Sequence, residues 1–93
     1  MDTEFIDVPD NHRYELRSGD QLVGFIDYRL HDGVITMIHT EVDEAWSGQG
    51  HAGTLARSAL DDARSRGLTV RPDCPYVASY IKKHPEYADL VAA

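Results

Sequence analysis

The sequence predicts an α+β domain, and three observations carry the prediction. Residues 12 to 42 hold three stretches of alternating or β-branched character, divided by two turn clusters. From residue 52 the spacing of apolar residues changes from two to 3.6. A short β-branched stretch then passes through a double-proline break into a second, shorter helical stretch. Ninety-three residues suffice for one modest core, so residues 1–93 are read as a single domain.

His12 to Arg17 alternates around Tyr14 and Leu16 and ends in the turn cluster Ser18-Gly19-Asp20, which gives a first short strand. Gln21 to Leu30 sets Leu22, Ile26, Tyr28 and Leu30 on one face, with Gly24 among them, and Asp27 and Arg29 on the other. His31-Asp32-Gly33 follows as a tight hairpin, because Asp-Gly accepts the positive φ angles of such a reversal. Val34 to Val42 is rich in β-branched residues and forms the third strand. After Ser47-Gly48-Gln49-Gly50, the residues Ala52, Leu55, Ala56, Ala59, Leu60 and Ala63 line one side of a helix that Gly67 ends. Leu68 to Arg71 suits a strand returning to the sheet. Pro72-Asp73-Cys74-Pro75 breaks it, and Pro75 opens a helix through Tyr76, Val77, Tyr80 and Ile81 that stops at His84-Pro85-Glu86.

The formal charge of −7 is unevenly spread. Residues 1 to 44 carry eleven acids against three arginines, whereas six basic residues meet five acids from residue 45 onward. A nucleic-acid partner is not expected, since phosphates would meet net repulsion and no basic, aromatic-laced stripe is present. An amine-bearing substrate suits the acidic half, and one small polyanion suits the C-terminal half. No segment has the roughly 18 unbroken apolar residues of a membrane span, and the acidic start is unlike a secretory leader. A cytoplasmic protein without membrane association is therefore expected. Cys74 is the only cysteine, so no internal disulfide forms, and the five histidines share no ligand spacing, so no metal site is expected.

The order strand, glycine loop, amphipathic helix is the sequence form of an anion site. Gly48 and Gly50 let the backbone turn with no side chain in a ligand's way, and the free N–H groups of the first helical turn point outward. Gly53 is a further bare position, so a pyrophosphate could lie along Gln49, Gly50, His51, Ala52, Gly53 and Thr54, with the Thr54 hydroxyl as a further donor. Such a loop also serves simply to turn a chain. It lacks the Gly-x-x-x-x-Gly-Lys of a Walker-type loop, and the chain is too short for a dinucleotide fold.

Ser47-Gly48-Gln49-Gly50-His51-Ala52, placed between a β-branched strand and a helix, resembles the acetyl-CoA loop (Gln/Arg)-x-x-Gly-x-(Gly/Ala) of the GNAT N-acetyltransferases. With Ile38-His39-Thr40-Glu41-Val42 before it, and Pro72-Asp73-Cys74-Pro75-Tyr76-Val77 and Tyr80 to Tyr87 after it, the chain looks like the small YjdJ-type branch from Tyr14 to Val91. One position departs. Ser47 stands where the family has a long side chain, leaving pyrophosphate binding more dependent on backbone amides.

The resemblance implies a minimal GNAT fold: a mixed, mainly antiparallel sheet, a central helix after the glycine loop and a shorter C-terminal helix. The cofactor would be acetyl-CoA (coenzyme A). Its pantetheine arm would pair with Thr40 to Val42 where two strands splay, and its pyrophosphate would cap the helix near His51. Tyr76 and Lys83 are expected on the cofactor side, with Arg57 or Lys82 as further partners for the 3′-phosphate. The partner would be an amine acceptor, a small molecule or a protein lysine, and a chain this short is expected to lack the added N-terminal helices that form the acceptor groove of larger relatives.

Acetyl transfer from a thioester needs a neutral amine, a stabilised carbonyl oxygen and a proton for the leaving thiolate. Cys74 precedes a helix N-terminus, which favours negative charge on sulfur, and the small branch is held to place a cysteine beside the acetyl group. It also fits as a small buried filler. Tyr80 is expected as the acid, with Tyr76 as rival and a core role open to both. His39 and Glu41 share a strand face and could take the amine's proton, although a strand histidine is commonly just hydrogen-bonded. His51 is read as a ligand-side or surface residue. Two functions follow: an acetyl-CoA-dependent N-acetyltransferase, or a CoA-binding module of the same fold with little turnover.

Overall fold

The computed structural model describes residues 3–92. Its single sheet has the order β1-β2-β3-β4-β5, from β1 (Glu4–Val8), β2 (Arg13–Ser18), β3 (Gln21–His31), β4 (Val34–Val42) and β5 (Thr69–Pro72). The first four strands are antiparallel, and β5 joins β4 in parallel. Two helices follow the predicted order, α1 (His51–Ser65) and α2 (Pro75–Lys83), and a 3-10 segment spans Pro85–Leu90. This is the mixed sheet and α+β arrangement the sequence predicts. No helix is long and apolar enough to cross a membrane.

Strand β1 was absent from the sequence expectation, for a physical reason. Its Phe5 stacks on Tyr14 (centroids 5.0 Å apart), but Asp7, two residues on, also turns toward the helix-covered side, where it accepts the Tyr28 hydroxyl at 2.6 Å. The face that packs is thus half charged, and the hydrophobic alternation that marks a strand is missing. Arg66 of α1 donates to Asp7 at 3.2 Å and to Asp62 at 3.1 Å, while Tyr14 donates to Asp62 at 2.7 Å. Burial, and then the carboxylate each one meets, pushes both tyrosine hydroxyls far up, so they stay donors.

The 3.6-residue stripe of α1 buries Leu55, Ala56, Ala59, Leu60 and Ala63 against Tyr14, Ile26, Met37 and Val70. Full burial of a Leu of this kind is worth about 2–3 kcal/mol, so this stripe holds the helix to the sheet. Asp32 and Gly33 take φ of 51° and 78°, the hairpin geometry the sequence predicts. Leu30 differs from expectation and is 43% exposed. The β2–β3 pairing ends at Arg13↔Asp27, so Leu30 pairs with Ile35 of β4 on one side and, among the described residues, has no strand neighbour on the other. Two bulges bend the sheet, with Val23 as the extra residue in β3 and Ile38 as the extra residue in β4.

The sheet face away from the helices carries Glu15, 5% exposed, between Arg13 at 2.8 Å and Arg17 at 2.7 Å. Burial alone would raise its pKa, but the two guanidinium hydrogen bonds outweigh that and hold the carboxyl below its ordinary value. A depressed folded-state pKa stabilises above the unfolded value and ceases to do so as pH falls through the folded one. Glu15→Gln should therefore cost about 1–2 kcal/mol at neutral pH. In urea titrations the gap between wild type and variant should close as pH is lowered past the ordinary carboxylate range, and a pH-independent gap would contradict this account.

Candidate functional site

The segment between β4 and α1 is pinned at its start. The Asp43 carboxylate accepts the Ala45 N–H at 2.9 Å, and the Ser47 hydroxyl and N–H both donate to the Glu44 carbonyl. Gly48 and Gly50 then take φ of 78° and 79°, where other residues are strained, and nothing lies within 4 Å of either Cβ position. Among the described residues, no acceptor pairs with the backbone N–H groups from Gly48 to Gly53. Six consecutive unpaired amides at a helix start are donors of the kind that can hold a phosphate.

Thr54 follows these amides, and its N–H (3.2 Å) and its hydroxyl (3.3 Å) both donate to the Gly50 carbonyl. The His51 ring turns inward, edge-on to Trp46 at 5.8 Å, with its Nε2 buried and without a partner among the described residues. His51 thus offers its main-chain N–H to the loop, as Gln49, Gly50, Ala52 and Gly53 do.

Beside the loop, β4 presents a free edge. Asp43 N–H donates to Val23 C=O at 2.8 Å, so residues 41 and 43 direct their main chain to β3, and Thr40 and Val42, opposite Ile26 and Gly24, direct theirs the other way. On that side β5 ends: its last pair is Met37↔Pro72, and Cys74 N–H closes the ladder on Met37 C=O at 2.8 Å. The chain then departs into α2 because Pro75 cannot continue a ladder. Gly24 permits the close approach of β4, since a methyl there would lie 2.7 Å from the Glu41 carbonyl.

Cys74, 3% exposed, sits at the head of this gap with Sγ 3.2 Å from Thr40 Oγ1. From α2, the Tyr76 hydroxyl lies 3.6 Å and Tyr80 Cε2 4.0 Å from the Cβ position of Gly53. Both tyrosines therefore stand over the first turn of α1. Tyr80 stacks on His84 (4.0 Å, 15°), whose Nδ1 lies 2.9 Å from the Tyr80 carbonyl oxygen. Burial pushes the Tyr80 hydroxyl up despite Arg57, so it carries its proton at neutral pH. Helical spacing puts Lys83 on the Tyr76–Tyr80 face, while Lys82 lines a separate cavity of about 510 Å³ with Ser79 and Val91. Apart from Lys82, that cavity touches none of the expected site residues.

His39 and Glu41 lie 3.3 Å apart, both exposed, and alternate with Thr40. They face the open side of the sheet beside Phe25, away from Cys74 and Tyr80. The structure brings Cys74 with Thr40, and Tyr76 and Tyr80 with Gly53, but sets His39 and Glu41 across the sheet from them. Sequence reasoning missed Gly24; its place in a strand interior was the available signal.

A parallel strand that parts from its neighbour beside a helix headed by free amides defines an acyltransferase-type fold. A family model for the GCN5-related N-acetyl-transferase matches residues 13–90, and the chain belongs to that family. It is 36% identical over 52 residues to the proteins NATD1 of Gallus gallus and of Homo sapiens, an alignment covering 56% of this chain and 47% and 46% of theirs. The chain spans about half the length of these relatives. The solution structure of a GCN5-like protein from Staphylococcus aureus superposes with a TM-score of 0.72 at 22% identity, covering 97% of this chain and 88% of that one. A ribosomal-protein-alanine N-acetyltransferase from Brucella melitensis gives 0.59 at 23% identity, covering 87% of this chain and 61% of that one. At these identities the two structures show the fold.

Proposed function

We propose that the protein is an acetyl-CoA-dependent N-acetyltransferase of the small single-domain branch, acting in the cytoplasm on an amine. The observation that carries the reading is the free edge of β4 adjoining six unpaired amides. The amides from Gly48 to Gly53 suit a pyrophosphate, and the main chain of Thr40 and Val42 suits the amides of a pantetheine arm laid along β4 like an added strand. Lys83 and Arg57 are the candidate partners of a 3′-phosphate, with Tyr76 beside Gly53, whereas Lys82 lines the far cavity. The cofactor supplies an activated acetyl thioester. Tyr80 then holds the proton that the departing sulfur needs, and Cys74 with Thr40 forms the wall beside that sulfur. On this reading His39, with Glu41 3.3 Å away, takes a proton from an amine arriving on the open face.

Titration of the 15N-labelled chain with acetyl-CoA tests this directly. Amide shifts should concentrate at Gly48–Gly53, Thr40 and Val42 at sub-millimolar cofactor, and an acceptor screen read by mass spectrometry should give acetylated product. Cys74→Ala should retain these shifts, and a loss of product alongside them would give Cys74 a part in the chemical step beyond lining the wall. Shifts with no product from any acceptor would favour the binding-module reading, and no shift at these residues would end both.

A further inference from the structure

A cavity of about 290 Å³ opens on the helix-free face of the sheet, lined by Asn11, His12, Asp27, Tyr28, Arg29 and Ile38. Its wall is the 3-10 turn Pro9–Asn11, which His12 N–H closes by donating to Pro9 C=O at 3.0 Å and which is tied to β3 where His12 C=O accepts Tyr28 N–H at 2.9 Å. His12 is held there at φ 52°, a left-handed conformation in a residue with a side chain. Its floor is Ile38, the bulged residue of β4, 39% exposed and one step past Met37, where the β4–β5 ladder ends.

Two opposite charges in this cavity are uncommitted. Among the described residues, Asp27 and Arg29 have no hydrogen-bond or ion-pair partner. Arg13, directly opposite Asp27, is instead bound to Glu15. Asp27 and Arg29 alternate along β3 onto one face, about 7 Å apart by strand geometry. Their order relative to the gap is fixed by register. Asp27 pairs with His39, beyond the end of β5, and Arg29 pairs with Thr36, which still pairs with Arg71.

We infer that this cavity is the acceptor pocket and that it takes a small zwitterionic amine, of free amino-acid size. The inference rests on the acetyl-transfer reading. Asp27 binds the ammonium at the gap beside His39, and Arg29 binds the carboxylate on the far side. His39 takes one proton from the ammonium; the free amine forms the C–N bond to the acetyl carbon, the C–S bond breaks, and the thiolate takes a proton from Tyr80. The second amine proton passes to solvent, and solvent reprotonates Tyr80. A lysine side chain of a protein offers no carboxylate at that distance from its amine.

The test uses the full 15N-labelled chain with and without coenzyme A, titrated with each of the twenty free amino acids and with ethylamine as the carboxylate-free control. Amino-acid shifts should concentrate at Asn11, His12, Asp27, Arg29 and Ile38, at least tenfold tighter than those of ethylamine. Arg29→Gln should abolish that preference, and Asp27→Asn should weaken amino acids and ethylamine alike, both with unchanged spectra elsewhere. With acetyl-CoA, the amino acid that binds should be the one acetylated. Absence of shifts at these residues at tens of millimolar, equal binding of ethylamine, or preferred acetylation of a peptide lysine would overturn the inference. Coenzyme A shifts at Gly48–Gly53 are read in the same spectra, so a failure of the cofactor site is seen separately from a failure of this pocket.

Discussion

Tyr80→Phe should lower the rate of acetyl transfer by about 10²–10³-fold, the usual span for a lost general acid, while the affinity for acetyl-CoA changes less than threefold. The substitution removes one oxygen and keeps the ring, so the stack on His84 and the contact over Gly53 persist. Because burial raises the pKa of Tyr80, the hydroxyl stays protonated through the assay range, and it should not produce an alkaline limb there. Tyr76→Phe is the control. That hydroxyl lies 3.6 Å from the Cβ position of Gly53, so under the proposed reading its loss should appear in cofactor affinity rather than in the chemical step. Single-turnover rates at saturating acetyl-CoA separate the two, and a Tyr80→Phe variant as fast as wild type would remove Tyr80 from the mechanism.

Gly24→Ala should have the largest effect on stability, a loss of about 2–3 kcal/mol from a total of about 5–14 kcal/mol for a chain of this size. The added carbon would meet the Glu41 carbonyl at 2.7 Å, Leu55 at 3.0 Å and Val42 at 3.2 Å. A flexible side-chain tip could swing aside, but a carbonyl inside a β ladder cannot. The relief is to push the end of β4 outward, so the urea midpoint should fall and the affinity for acetyl-CoA should fall with it. Gly19→Ala, at a turn with nothing within 4 Å, should cost less and leave cofactor affinity unchanged. Equal midpoints for the two variants would refute the close-approach argument.

The comparison of sequence with structure divides along physical lines. Strand β4 and the start of α1 were legible because β-branched run, glycine loop and 3.6-residue stripe are local signals, and they agree with one another. Strand β1 was not, because its partners Tyr28 and Arg66 are 21 and 59 residues from Asp7, and only in three dimensions does an acid become a core-facing residue. The free amides of Gly48 to Gly53 follow from local chain chemistry. That Thr54 spends its hydroxyl on Gly50, that His51 faces Trp46, and that His39 lies across the sheet from Cys74 depend on packing and strand phase, which spacing alone leaves open. Lys83 and Lys82 are neighbours in sequence yet lie on different flanks of α2, a choice the helix makes and composition cannot.

The polar stitching of β1 has a consequence for how the molecule comes apart. A margin fastened by Asp7 to Tyr28 and Arg66, with one aromatic contact from Phe5, is released by competing salt more readily than one sealed by grease. Hydrogen exchange should therefore find the N-terminal ribbon unzipping as its own unit, ahead of the Leu55–Leu60 heart. The glycine bend and the parting of β5 from β4, at the opposite border of the sheet, would keep their shape through that first opening.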